Sequence, residues 1–323
     1  MLICSTHICY SIHQPKEEKR MQQLVNLQLT MFVMIAAGMI LKKIGIIGPE
    51  GQKNITDLVI YLVLPCNIVK SFMVEFTYDI FYTFAGVLII SILIQAACSV
   101  LGRVLYQRME TPQKKVLQYA TICSNAGFLG NPIAEGVFGT VGLTLTSIYL
   151  IPQRIVMWSA GISVFTEAPD KKTLVKKVVT HPCIIACFLG ILLMLTQFQL
   201  PGFLNTSIQT ISNCNTALSM MVIGMILAEV DLKHLVDKKV LYYTVIRLLL
   251  IPLLVYVPCK LLGLDSLVTG VCVLLAAMPA GATTSILASK YNGDAAFATK
   301  CVIFSTFASL LSTPVWSLLL IGR

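Results

Sequence analysis

Two stretches decide the fold: SNAGFLGNPIAEGVFG at 124–139 and LAAMPAGATTSILASKYNG at 275–293. Each interrupts a long apolar run with glycine and proline. A proline removes one backbone donor and clashes with the carbonyl four residues earlier, so Pro132 is expected to free the Phe128 carbonyl and Pro279 that of Leu275. Gly127, Gly130 and Gly281 ease the unwinding. In hydrocarbon, unpaired backbone groups persist only where protein or a water-filled cavity covers them. A single such break is an ordinary kink. Two at matching places point to a shared central site, with Asn125 and Asn131 beside one break and Thr283, Thr284 and Ser285 beside the other. The half-helix that follows each break offers free amide donors and a partial positive charge, which favour an anion such as a carboxylate.

The rest of the chain supports a membrane setting for these breaks. It has 323 residues, 56% hydrophobic and only 12% charged, with a mean hydropathy of +0.82. Soluble domains carry about 25% charged residues, so a cytosolic globular protein is excluded. Apolar runs between turn signals predict ten spans, near 24–46, 56–75, 80–103, 117–140, 142–164, 181–198, 208–230, 238–262, 266–291 and 296–321. At about 20 residues each they account for most of the length. The fold class expected is all-α.

Every second connector is basic. Lys42, Lys43 and Lys53 follow the first span, Arg103, Arg108, Lys114 and Lys115 the third, Lys171, Lys172, Lys176 and Lys177 the fifth, and Lys233, Lys238 and Lys239 the seventh. The connectors between them hold one basic residue or none. The basic side is the cytoplasm, which puts both termini outside the cell membrane. The net charge of +9 therefore reports topology and not nucleic acid. The connector 165–180 splits the chain into two groups of five spans, 21–164 and 181–323, and an odd number forces the second group to enter from the opposite side. That is the inverted repeat of many secondary transporters. Residues 1–20 end in a charged cluster and read as an appendage that insertion can spare, with Met21 as a natural start.

In these residues the chain resembles the auxin efflux carrier family, whose bacterial members include malonate and malate permeases. GMILKKIGII, YLVLPCNIVKSF, SNAGFLGNPI, SMMVIGMILAEVDL, RLLLIP and MPAGATTSILASKYN match its patterns in order from Met21 onward. The resemblance implies ten helices in two inverted repeats, broken helices four and nine crossing at the substrate, elevator-like alternating access and a homodimer. It implies that Asn125, the crossover prolines Pro132 and Pro279, and Gln153 face the substrate. The short linker sets the chain apart from plant carriers, which have a large cytoplasmic loop there.

Other intramembrane polar groups carry two readings each. Arg247, inside YYTVIRLLLIPLL, pairs either with a substrate carboxylate or coupling group, or with helix carbonyls or a carboxylate such as Glu229. Arg154 either joins Gln153 at the site or snorkels to the interface. Asn67 lines the same cavity or bonds a neighbouring helix. The aspartates fall at span ends or in loops, so Glu135 is the candidate proton carrier, against an exposed carboxylate where the fourth span emerges. The full candidate anion site is Asn67, Asn125, Asn131, Pro132, Gln153, Arg247, Pro279, Gly281 and Thr283. No cofactor or metal is expected: the eleven cysteines are scattered without CxxC pairs and read as small packing residues. The four histidines lie in loops or at span edges and no GxSxG occurs, which speaks against a hydrolase. The rival readings are a sodium-coupled bile-acid-type symporter of similar architecture and a passive anion channel.

Overall fold

The computed structural model describes residues 17–75, 77–158, 164, 165, 172, 175, 176, 179–228, 237–291 and 293–321. The helices in chain order are α1 (Glu17–Lys43), α2 (Pro49–Leu58), α3 (Leu64–Ser71), α4 (Tyr78–Leu105), α5 (Thr111–Ile122), α6 (Asn131–Trp158) and α7 (Pro182–Thr196). They continue with α8 (Gly202–Ala228), α9 (Lys238–Val245), α10 (Ile251–Leu261), α11 (Ser266–Ala276), α12 (Thr283–Lys290) and α13 (Ala295–Ile321). No strand occurs among the described residues. Most of the expected appendage and of the linker, and also Glu229, lie outside them.

Six helical stretches are long and apolar enough to cross a membrane: Val25–Lys43, Ile80–Leu105, Ala126–Met157, Gly202–Ala228, Lys238–Leu261 and Ala295–Leu320. Pro182–Thr196 and Ser266–Ala276 are shorter apolar helices. Ten spans were expected. The difference arises where segments are short or come in pieces, as at α2–α3, α5, α7 and α11–α12. The boundary expected at 140–142 falls at Gly139 (φ 69°, ψ −161°): this non-helical backbone shape, which only glycine adopts readily, divides α6 into two helical pieces.

Three wide π-turns share one cause. Val59–Val63, Ala126–Gly130 and Ile246–Leu250 each end two residues before a proline, at Pro65, Pro132 and Pro252. Widening the turn relieves the clash of the proline ring with the preceding turn. At Pro252 the freed carbonyl, Leu248, accepts the Trp316 indole N–H at 2.9 Å.

Packing divides the helices into two groups. α1, α2–α3, α7 and α8 lean on one another, while α4, α5, α6 and α9 to α13 form a second cluster with fewer contacts to the first. Within the first group, α1 and α8 touch backbone to backbone: a Cβ at Gly38 would strike the Met221 carbonyl, and one at Gly224 the Ile35 carbonyl. Small residues at such a seam let helices associate by close packing in a solvent as apolar as their side chains. In the second group α11 is buried all round, from Val268 to Ala276. Large apolar side chains stay exposed on α4 (Ile89, Leu93, Val100), α7 (Phe188, Leu192, Leu195) and α10 (Leu253, Leu254, Val257). Such an apolar exterior on a fully helical protein is a lipid-facing surface.

The aspartates at helix starts act as caps. Asp237 accepts the Lys239 N–H, Asp265 those of Leu267 and Val268, and Asp294 that of Phe297. Each satisfies an orphan donor of a first turn, which is why these carboxylates sit at helix ends.

Candidate functional site

The two broken segments meet. Beyond α5 the chain unwinds over Cys123–Asn125, and beyond α11 over 277–282, and the unwound pieces pair antiparallel at Ser124 and Ala280. The Asn125 N–H donates to the Pro279 carbonyl at 2.7 Å and the Gly281 N–H to the Cys123 carbonyl at 3.0 Å. Two rungs of a short β-bridge thus join two helices that are each missing a turn.

The position of the breaks corrects two expectations. The Leu275 carbonyl is not free, since it accepts the Met278 N–H at 3.3 Å. α11 closes with a tight last turn, and the carbonyls of Met278 and Pro279 beyond it take donors from other segments. On the other side the unwinding lies upstream, at Cys123–Asn125; the helix restarts as the π-turn Ala126–Gly130 that runs straight into α6, so Pro132 falls in its second turn, where the widened turn accommodates the ring.

Several carbonyls of the crossing are met by side chains. The Arg247 Nε donates to the Met278 carbonyl at 2.7 Å and its Nη1 to the Thr121 carbonyl at 3.1 Å. Tyr243, one turn earlier on the same face, donates its hydroxyl to the Ala120 carbonyl at 2.9 Å. Gln153 from α6 clamps Ser124: its Nε2 donates to the Ser124 carbonyl at 2.8 Å and its Oε1 accepts the Ser124 hydroxyl at 3.1 Å. The Ser305 hydroxyl accepts the Ala280 N–H at 3.2 Å.

The amide side is different. The N–H groups of Ala126, Gly127 and Phe128, and those of Ala282 and Thr283, have no hydrogen-bond partner among the described residues. These are the first donors of the two half-helices beyond the breaks, so their positive poles are uncompensated. Asn125, Gly127, Phe128, Ala282 and Thr283 are partly exposed, and a Cβ at Gly127 would meet open space. Gly281 is the reverse. A Cβ there would lie 3.2 Å from the Cys123 oxygen and 3.3 Å from that of Ser124, so the close crossing requires glycine.

Around this core the other candidate residues fall in distinct places. The Thr283 hydroxyl accepts from Tyr119 at 3.3 Å. Asn131 is fully buried in the first turn of α6, and neither amide atom has a partner among the described residues; the Thr284 hydroxyl is buried and unpartnered likewise. Pro132 and Pro279 are buried. Asn67, on α3, donates to the Ser212 hydroxyl of α8 at 3.0 Å and so lies within the first helix group, its Oδ1 unpartnered among the described residues. Arg154 is not at the interface. It is 6% exposed and points its Nη1 at the Cys187 sulfur of α7, 3.9 Å away. Glu135 is half-buried and faces Lys70 at 4.0 Å, and the Lys70 ammonium also donates to Asn213 at 3.2 Å. This ion pair connects α6 of one group to α3 of the other. No cluster of His, Cys, Asp and Glu able to hold a metal occurs among the described residues.

Sequence reading missed Tyr243, Ser305 and Lys70. Tyr243 carried a signal, being one helical turn before Arg247 on an apolar segment. Ser305 and Lys70 carried none, because their partners come from distant helices.

Comparison with known proteins accords with this geometry. The family described as membrane transport protein matches residues 24–177 and 171–317. The chain is 27% identical over 299 residues to an uncharacterized transporter of Methanothermobacter thermautotrophicus, covering 90% of this chain and 97% of that protein. It is 25% identical over 308 residues to an uncharacterized transporter of Methanocaldococcus jannaschii, covering 91% and 98%. With the family matched over nearly its whole length and an apolar, all-helical body around a broken-helix crossing, the chain belongs to the membrane transport protein family, that of the auxin efflux carriers, and is a multi-pass membrane transporter.

Proposed function

We propose that the chain is a secondary active carrier of small organic anions, mono- or dicarboxylates, that binds its substrate at the crossing and moves it by an elevator-like displacement of one helix group against the other. The observation that carries this is the cluster of unpartnered N–H groups at 126–128 and 282–283, beside the open space at Gly127. Two helix N-termini with free amides at one crossing attract a carboxylate and repel a cation. Asn125 stands beside the crossing as a partly exposed neutral donor, the Thr283 hydroxyl is held between Tyr119 and the Met157 sulfur, and Asn131 holds a further unpaired amide nearby in sequence.

The packing favours the elevator. All the elements of the crossing, α5, α6, α11 and α12, belong to the second group, which meets the first through fewer contacts than hold either group together. Mapping one half of the chain on the other also pairs contacts: α1 on α8 corresponds to α7 on α3, and α4 on α5 to α10 on α11. That correspondence supports ten segments in two inverted repeats, with α2–α3, α5 to Gly139, α9–α10 and α11–α12 counted as interrupted segments and the rest of α6 as the fifth. On this reading the basic connectors are cytoplasmic, both termini lie outside the cell membrane, and two copies pair as a homodimer.

The test is counterflow in proteoliposomes. Vesicles preloaded with malonate, malate or lactate should accumulate the labelled acid transiently and saturably. Linear, unsaturable flux would support a channel, and no flux for any carboxylate would refute the anion reading. If Glu135 carries a coupled proton, Glu135→Gln should remove the dependence of accumulation on a pH gradient; unchanged accumulation would exclude that role.

A further inference from the structure

Arg247 is an unusual residue to bury. It sits in the π-turn between α9 and α10, 2% exposed, and no described carboxylate pairs with it. Its two bonds go to the Met278 and Thr121 carbonyls, at the C-terminal ends of α11 and α5. Each helix end carries about half a negative elementary charge. The two poles converge on one point and together call for about one positive charge, which the guanidinium supplies. Tyr243 closes the same place by meeting Ala120, so no carbonyl at 120, 121 or 278 is left for water.

In carriers built on broken helices, unwound carbonyls and half-helix C-termini are where a coupling sodium ion is coordinated. Here those carbonyls are occupied by a side chain of the protein itself. Because α9, α10, α5 and α11 pack in one group, that charge stays with the crossing as it moves.

We propose that the Arg247 guanidinium is a tethered counter-cation, seated where a coupling sodium would otherwise bind at the crossing, so that anion movement by this chain needs no sodium. This rests on the carrier reading above and goes beyond it by assigning Arg247 a positioning role and excluding one coupling ion. The side chain holds the two half-helix ends together and balances their charge, while the substrate binds at the opposite, amide side.

The experiment has two independent arms. In detergent, the melting temperature of the purified protein is measured in sodium chloride and in choline chloride of equal ionic strength. The wild type should not distinguish them, whereas Arg247→Ala, with its carbonyl seat vacated, should be stabilised by sodium and by low-millimolar guanidinium but not by choline. In proteoliposomes, wild-type counterflow of a carboxylate should be equal in both salts. Arg247→Ala should lose more than about tenfold, as expected for removing a charged hydrogen-bond partner of buried groups, and regain flux when guanidinium is added. Sodium-stimulated wild-type flux, a sodium-stabilised wild type, or a folded Arg247→Ala that neither ion restores would overturn the proposal. If Arg247→Ala does not fold, Arg247→Lys serves: it should keep sodium-independent flux, and sodium dependence in it would overturn the proposal equally. A wild type that moves no carboxylate at all refutes the carrier reading, and the detergent arm then still decides the role of Arg247.

Discussion

The two glycines of the crossing should respond to a single methyl in opposite ways. At Gly281 a Cβ would sit 3.2 and 3.3 Å from two carbonyl oxygens of the opposing strand, a few tenths of an ångström inside ordinary contact. Those oxygens cannot turn aside, because the Cys123 carbonyl accepts the Gly281 N–H itself and the Ser124 carbonyl accepts from Gln153. Gly281→Ala must therefore push the strands apart and stretch both rungs, the 2.7 Å and 3.0 Å bonds at Asn125 and Gly281. Overpacking at a site of this kind costs about 1–3 kcal/mol, or several degrees of melting temperature. At Gly127 the added methyl meets nothing, so Gly127→Ala should leave the melting temperature unchanged. It would, however, occupy the opening beside the free amides and weaken carboxylate binding. Thermal melts of both variants, with and without malonate, separate the two effects. A Gly281→Ala protein as stable as wild type would refute the account of the crossing, and a Gly127→Ala protein with an undiminished malonate shift would refute the location of the anion.

Three further outcomes follow from individual contacts. Trp316→Phe removes the donor to the Leu248 carbonyl and should cost about 1–3 kcal/mol; adding Pro252→Ala, which restores a backbone donor, should recover most of that in the same melt. The His181 imidazole caps α7 by accepting the Cys183 N–H at 3.2 Å; His181→Ala should lower the melting temperature by the loss of about 0.5–2 kcal/mol, whereas His181→Asn, which keeps an acceptor there, should cost little. Asn131→Leu replaces a buried amide without partners by an apolar group of similar size, and should raise the melting temperature while shrinking the shift induced by malonate.

The helical class, the limits of most helices and the two broken segments were legible because glycine, proline and charge act locally. Pro132 and Pro279 marked the breaks to within a turn. Their detail was not legible, since which carbonyl ends unpaired depends on how the last turn of α5 or α11 closes, and that is settled by Arg247 and Tyr243 arriving from another helix. The boundary read between the fourth and fifth spans was legible for that local reason too, since it falls at Gly139, whose positive φ divides α6. Arg154 read first as snorkelling, and only the approach of α7 turns it inward to Cys187. Gln153 lies beside the crossing with its amide bonded to Ser124. The site's geometry is a product of pairings between residues more than a hundred positions apart, such as Thr121 with Arg247, and no local pattern encodes them.

The chemistry of the crossing turns on an asymmetry between its two sides. Breaking two helices at one place exposes two carbonyl poles and two amide poles, and folded proteins leave few buried groups of either kind unpaired. Here the carbonyl poles are met by Arg247, Tyr243 and Gln153, all of them donors supplied by the chain. The amide poles at 126–128 and 282–283 receive no acceptor from the described residues, although hydroxyl and amide oxygens lie close by in sequence at Ser124, Asn125 and Thr284. On the proposed reading, a cation bound there would face five N–H dipoles, so the local field favours water or an anion. The sign of the substrate then follows from the pairing of the helix ends rather than from a charged side chain at the ligand.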